Sequence, residues 1–496
     1  TMTKPIDDAN DDEPNNKTHA RVMRIVFLNV SLYAVAFQLQ RPIEPFLVRR
    51  LGADDAEYGK LQSFFSLVQS VGSPFVGALL DRVGARRMFV VVFASSAASY
   101  ALLARATSIR WLYASKVPTV FQAGFLVAQA LVAASTRRSA VSRAAALGRL
   151  TTAYTIGATL GPGLGGIFGA NGDYYLGAKL AVAASIVSAA LALALPEERT
   201  NTGSSSLDDD DDDQSNGEKR RGDNDKRRRP FTTTATSAAA HEKPGENSHH
   251  NTKRSRGSSS LRAALTLAAK VWPWLFVKTA TGVTNSALGT TLPLALRDWG
   301  FDEKRLGLAM SGTAAVVAFV GAFCVGPLVK IVGQERLPIF ALRLKAACLA
   351  FLSASCVFLG ITFGRTALVA LIVAFHASVS HVLATSLTTA TTGIVLPSEQ
   401  GVLLGIEHGL FAVARIFGPT LGTTLKLKVG IGSLAAVCAA TDAIVALFFG
   451  HVAFTTQFVN FKHAGVPSAS ATTSGSPPTT VAATATASSS QEKKDL

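Results

Sequence analysis

The sequence predicts an all-α membrane protein of twelve transmembrane helices arranged as two six-helix bundles. Three observations predict it. Apolar stretches of about 20 residues recur about twelve times, each long enough to cross roughly 30 Å of hydrocarbon as a helix. Hydrophobic residues make up 48% of the 496-residue chain at a mean hydropathy of +0.29, an average that hides very apolar runs beside very polar tails. Two glycine-bearing phrases of the first half return, in the same order, in the second. Lipid offers no water to backbone N–H and C=O groups, so spanning segments must be helices or closed barrels, and runs of this length are helices.

Residues 1–20 carry Asp7, Asp8, Asp11, Asp12 and Glu13 and read as a disordered cytoplasmic tail. They are polar and acid-rich, unlike a cleavable signal, so the first membrane helix is expected to act as the targeting signal. That helix, 22–48, holds Gln38, Arg41 and Glu44, and Pro42 and Pro45 predict a broken exit. The second, 58–80, delivers the chain to Gly77-Ala-Leu-Leu-Asp81-Arg82-Val-Gly84-Ala-Arg86-Arg87, an acid and three bases in a turn between apolar runs. Gly77 is expected to allow close helix approach and Gly84 to supply a positive φ. Asp81 stands at a helix C-terminus, where the macrodipole disfavours an anion, so it needs a cation or the N-terminus of another helix.

The third helix, 88–105, precedes a fourth, 111–135, with Lys116 and Gln122. In the fifth, Gly157, Gly161 and Gly165 recur every fourth residue and form one smooth face for backbone packing, Pro162 permits a bend, and Gly166 follows. A sixth helix, 175–195, completes a first bundle over 21–195. Residues 196–262, with Asp208 to Asp213 and clusters such as Arg227-Arg228-Arg229, read as a disordered cytoplasmic linker. The net charge of +15 does not imply nucleic acid. Acids and bases roughly cancel in the linker, so the excess sits beside helix ends. Arg82, Arg86, Arg87, Arg137, Arg138 and Arg143 then assign their loops, and both termini, to the cytoplasmic face of a plasma membrane or endomembrane.

Gly326-Pro-Leu-Val-Lys330-Ile-Val-Gly333-Gln-Glu-Arg336 repeats the stretch from Gly77 to Arg87, and Gly418-Pro419-Thr-Leu421-Gly422 repeats Gly161-Pro162-Gly-Leu164-Gly165. The two matches imply a second bundle, 263–456, related to the first by a pseudo-two-fold axis along the membrane normal. Lys330 stands in the place of Asp81, so the charged turn is expected to act in the first half only. Residues 457–496 are rich in Ser, Thr, Ala and Pro and read as a disordered tail. Cys324, Cys348, Cys356 and Cys438 lie within apolar runs, with the spacing of neither a metal site nor a disulfide framework.

The stretch from Gly77 to Arg87 resembles motif A of the major facilitator superfamily, with Ala85 in place of a basic residue. The stretch from Gly157 to Gly166 resembles motif C, which marks antiporters in that superfamily. Ser115-Lys116-Val117-Pro118-Thr119 and Ala146-Leu147-Gly148-Arg149-Leu150 resemble the organic cation transporter-like branch of solute carrier family 22, its eighteenth-member type, itself similar to tetracycline-type drug–proton antiporters. The resemblance implies alternating access around a cavity lined mainly by helices one, four, seven and ten, and efflux of organic cations or drugs. It also implies that Asp81 latches onto the start of helix eleven near residues 400–404. Lys116 takes the place of the motif B base, but the Gln-Gly that follows that base is absent.

Titratable and polar groups inside membrane helices are costly and therefore functional candidates. For protons or substrate these are Gln38, Arg41, Glu44, Lys116, Gln122, Lys278, Asn285, His381, Glu407, His408 and Arg415. Glu44 lies three residues from Arg41, so an interfacial pair competes with a proton-accepting role. Glu407 and His408 are either a proton relay or part of the charge cluster around Asp81. His376 and His381 lie on the tenth helix, and Arg415 and Asp442 are expected to pair with other helices. Bases outnumber acids on the expected cavity helices, which argues against a purely cationic solute. The reading is a secondary active transporter exchanging small organic solutes for protons across the bilayer. Nutrient uniport or symport, and a non-transporting scaffold or sensor, are the alternatives. No nucleophile–base pair, phosphate loop or metal-ligand spacing points to an enzyme, and no cofactor is expected.

Overall fold

A computed structural model describes residues 13–135, 140–196, 265–358, 363–395 and 400–461. Most of the expected tails and linker fall outside these residues. The N-terminal helix α1 (Glu13–Leu39) begins within the stretch expected to be disordered, and after the turn at Pro42 the short α2 (Glu44–Arg50) carries Pro45 in its first turn, where a missing N–H removes no helical bond. Asp54 caps the next helix by accepting from the Glu57 N–H at 2.8 Å. That helix, α3 (Asp55–Ala104), is interrupted by Gly84 at φ 79°, a conformation only glycine adopts freely. Tyr58 and Leu61 bury in one cluster with Leu103 and Ala106, so the chain doubles back at Gly84.

The expected fourth helix is broken rather than continuous. It comprises α4 (Ile109–Lys116), a 3-10 turn (Val117–Phe121) and α5 (Gly124–Ser135), because Pro118 cannot donate to a helical ladder. There follow α6 (Ala140–Gly169), α7 (Leu176–Leu193), α8 (Trp272–Asp298) and α9 (Glu303–Phe319), which passes through a π-helical turn (Val320–Cys324) into α10 (Val325–Val332). The chain ends its described course in α11 (Leu337–Phe358), α12 (Phe363–Ile394) and α13 (Gln400–Phe461), the last interrupted by Gly430 at φ 81°.

Among the described residues, nine helical segments are long and apolar enough to cross a membrane. Their burial is that of a lipid-embedded protein. Ile331 and Phe358 face outward at 81% and 83% exposure, whereas Asn29, Lys345 and Asp442 are fully enclosed. The chain is an integral, multi-pass membrane protein. In lipid the hydrophobic effect does not pull helices together, so close packing and internal polar contacts must do it. Buried side chains accordingly cluster within each stretch: Val26, Phe89, Phe93 and Leu150 before residue 196, Leu342, Leu349, Leu383 and Leu434 after residue 265.

Candidate functional site

Two ends of the molecule are convenient to distinguish: that of Asp55, where α3 starts, and that of Gly84, where it reverses. Between them lies a cavity of about 920 Å³, lined from α1, α3, the 3-10 turn, α5, α6, α8 and α13. Its lining residues toward the Gly84 end, Ser73, Pro74, Gly405 and His408, are exposed. Toward the Asp55 end, Gly59, Pro419 and Thr423 are buried, and a Cβ at Gly59 would collide with Thr423 Oγ1. Just inside, the Ser63 and Thr420 hydroxyls share a hydrogen bond of 2.7 Å.

Charge also closes the Asp55 end. Arg297 Nη2 lies 2.8 Å from Asp55 Oδ1 and from Asp298 Oδ1, while Lys426 Nζ lies 2.5 Å from Asp55 Oδ2 and 2.6 Å from Asp298 Oδ2. Arg297 Nη1 adds a donated bond of 3.0 Å to the Pro45 carbonyl. The cluster ties α3 to α8 and α13. Nearby, Tyr174 donates to Glu303 Oε1 at 2.6 Å, and burial and that carboxylate push the phenol up to about 12.

The α6 glycines let this helix pack closely against its neighbours. A Cβ at Gly157 would stand 2.6 Å from the Ser31 carbonyl, one at Gly161 2.5 Å from Gln38 Cβ, and one at Gly165 3.0 Å from Leu39 Cα, all on α1. Gly166 faces α9, where its Cβ would lie 2.9 Å from Gly307 Cα, and the Gly163 N–H donates to Ser311 Oγ at 2.6 Å. Pro162, within α6, presents its carbonyl to Gly307.

The cavity gathers Gln38, Arg41, Gln122, Asn285, His408 and Arg415. Arg415 Nη2 donates to Gln69 Oε1 at 3.3 Å, His408 Nδ1 meets the Leu404 carbonyl at 2.8 Å, and Ser380 donates to Asn285 Oδ1 at 3.2 Å. Glu44 and Lys116 form an ion pair in an adjoining chamber of about 40 Å³, where Gln62 Nε2 donates to Glu44 Oε2 at 2.6 Å and Lys116 Nζ sits 5.3 Å above the Phe65 ring. Glu44 thus takes Lys116 as its partner and not Arg41, contrary to the spacing argument.

Lys278 and Glu407 pair at 2.5 Å, with Thr391 donating to Glu407 at 2.7 Å, so Glu407 reaches across to α8 and α12. His381 lies against Gly321, outside the cavity lining, and His376 is buried with Nε2 unpartnered among the described residues. At Gly77 an added Cβ would meet nothing within 4 Å among the described residues, which show no close helix approach there. Arg82 is exposed and Arg86 half-buried; the Asp81 side chain, residues 396–399 and the side chain of Gln400 lie outside what is described, so the expected latch onto the start of α13 falls there too. Sequence reasoning missed Lys345, which pairs with Asp442 at 2.8 Å, and gave Arg297 and Lys426 no role. A charge inside an apolar run was the available signal for each.

The profile of the Major Facilitator Superfamily matches residues 26–419. The chain belongs to the major facilitator superfamily. As a major facilitator it is a secondary transporter of small molecules across a membrane, not an enzyme. Over 429 residues it is 23% identical to solute carrier family 22 member 18 of Mus musculus, covering 83% of this chain and 90% of that protein. It is 34% identical over 158 residues to solute carrier family 67 member A1 of Homo sapiens, a match spanning 31% of this chain and only 37% of that protein. Among solved major facilitators, the nucleoside transporter NupG superposes with a TM-score of 0.58 at 11% identity, covering 88% of this chain and 99% of that one, a likeness of fold alone.

Proposed function

We propose that the chain is a proton-coupled antiporter of small organic solutes working by alternating access, with residues 21–195 and 263–456 as two six-helix bundles around the cavity. The one-sided closure of the cavity supports alternating access: ion pairs and the contact at Gly59 close it at the Asp55 end, and its lining is exposed at the other. If α6 and α8 also span, and α13 is two spans joined at Gly430, the nine apolar spans would become the expected twelve. Arg82, Arg86 and Arg87 favour the Gly84 end as the cytoplasmic one, and on that reading this is the cytoplasm-open state. In the opposite state Asp81 would engage the start of α13, as the resemblance to motif A implies.

Coupling is assigned to Glu44. Its chamber shares Arg41, Gln62, Phe65, Thr119 and Gln122 with the solute cavity. A proton on Glu44 would cancel its pull on Lys116, freeing the lysine and Gln62 to rearrange where the solute sits. Proton and solute would then drive the same change in opposite senses. The resemblance of the stretch from Gly157 to Gly166 to motif C supports exchange, and the resemblance to drug–proton antiporters supports efflux.

The test uses purified protein in vesicles loaded with a pH dye. Acidifying the outside should deplete right-side-out vesicles of solute, and Glu44→Gln should cut proton-linked flux at least about tenfold while solute–solute exchange persists. Solute accumulation on acidification would mean symport, and indifference to the gradient would mean uniport. Either outcome would overturn the antiport reading.

A further inference from the structure

The cavity's own charges define what it can hold. Among its lining residues there is no carboxylate, whereas two guanidinium groups, Arg41 from the turn after α1 and Arg415 from α13, face it. Each lies within electrostatic reach of the other and of Tyr154. Neither makes an ion pair among the described residues, and Arg415 donates only a long bond of 3.3 Å to the Gln69 amide among those residues. The neighbouring acids are already spent: Glu44 on Lys116 and Gln62, Glu407 on Lys278 and Thr391.

Arg41 is exposed and Arg415 half-buried at the same cavity, so two like charges repel across it unless a negative group offsets them. We infer that Arg41 and Arg415 form an anion-binding subsite, and that the solute is an amphiphilic organic anion with a carboxylate or sulfonate on an aromatic body. This rests on the transport reading above. A guanidinium presents a planar fork of donors that matches an oxyanion's paired oxygens, and two forks can grip one head group. The rest of the molecule has a wall to lie on. Phe125 and Tyr154 pack at 5.0 Å between centroids, Tyr33 and Phe37 stack at 6.3 Å, and all four line the cavity. A volume of about 920 Å³ suits a drug-sized solute. An organic cation in the same place would meet two like charges and no acid, which disfavours the cation-transporting expectation for this chain.

Binding is tested on detergent-purified full-length protein, by calorimetry, with three probes of one skeleton: 2-naphthalenesulfonate, 2-naphthyltrimethylammonium and neutral 2-naphthamide. The sulfonate should bind more tightly than the other two. Arg415→Gln and Arg41→Gln should each weaken it about tenfold or more, with Arg415→Lys recovering part of the loss and the amide indifferent to all three changes. Preference for the ammonium probe, equal sulfonate binding in wild type and both glutamine variants, or no sulfonate binding by monodisperse wild type would each overturn the inference.

Counterflow in vesicles separates this inference from the transport reading. Arginine-dependent sulfonate binding without counterflow would sink transport and leave the subsite standing. Counterflow of the ammonium or amide alone, unaffected by the arginine changes, would do the reverse.

Discussion

Lys345 and Asp442 illustrate what a membrane interior demands of charge. Both side chains are fully buried, 2.8 Å apart, with Thr284 donating to Asp442 at 3.1 Å and accepting from Lys345 at 2.9 Å. Neither lines the cavity, so the pair is read as a structural tie between α11, α8 and α13. Removing one partner strands the other, which costs about 3–5 kcal/mol, whereas replacing both by apolar residues of similar size is close to neutral. Asp442→Asn or Lys345→Met should therefore lower the melting temperature in detergent markedly, and Lys345→Met with Asp442→Leu should restore most of it. A stable double variant that no longer transports would show that the pair has a coupling role instead. Asp442 was legible in the sequence as an intramembrane acid, but its partner was not, because contacts between helices far apart in the chain leave no local spacing signal. Glu44 shows the opposite failure. The three-residue spacing to Arg41 pairs side chains only on a continuous helix, and the turn at Pro42 breaks that helix, leaving Glu44 to Lys116.

At the scale of elements, small residues decide where helices can close. The four-residue spacing on α6 foretold a smooth face, since such residues share one side of a helix. It did not say that this face meets α1, or that a second face of the same helix, with Gly163 and Gly166, meets α9. The break at Pro118 was likewise readable from proline's missing N–H and was overlooked in favour of the apolar run. Gly59→Leu places a branched side chain where Thr423 and the Pro419 carbonyl now stand. It should hold the Asp55 end apart while the helices stay folded, so that a cysteine at Ser63 reacts several-fold faster with a membrane-impermeant thiol reagent. Unchanged labelling in the folded variant would count against this gate. Gly77→Ala is the control, because that position opens on free space and the change should stabilise the helix by about 0.4–1 kcal/mol.

For the whole molecule, the pattern of apolar runs and the internal repeat made the membrane class and the superfamily readable, because lipid constrains length and polarity more tightly than water does. The conformation was not readable, since two states of one transporter share one sequence and differ by only a few kcal/mol. Its marker here is the cluster of Asp55, Arg297, Asp298 and Lys426, which closes one end while the other stands open. Asp55→Asn leaves Arg297 and Lys426 facing each other with Asp298 as their remaining acid, and should move the balance toward opening of that end by about tenfold or more.

The measurement that bears most directly on alternating access is a pair of spin-label distances on protein with its native cysteines replaced. One pair, at Lys60 and Lys428, spans the Asp55 end, and the other, at Ala78 and Val402, spans the Gly84 end, all four positions being exposed. Asp55→Asn should lengthen the first distance and shorten the second in the same molecules. Two distances that stay fixed, or that lengthen together, would contradict a rocking transporter and leave the cavity without a way across the membrane.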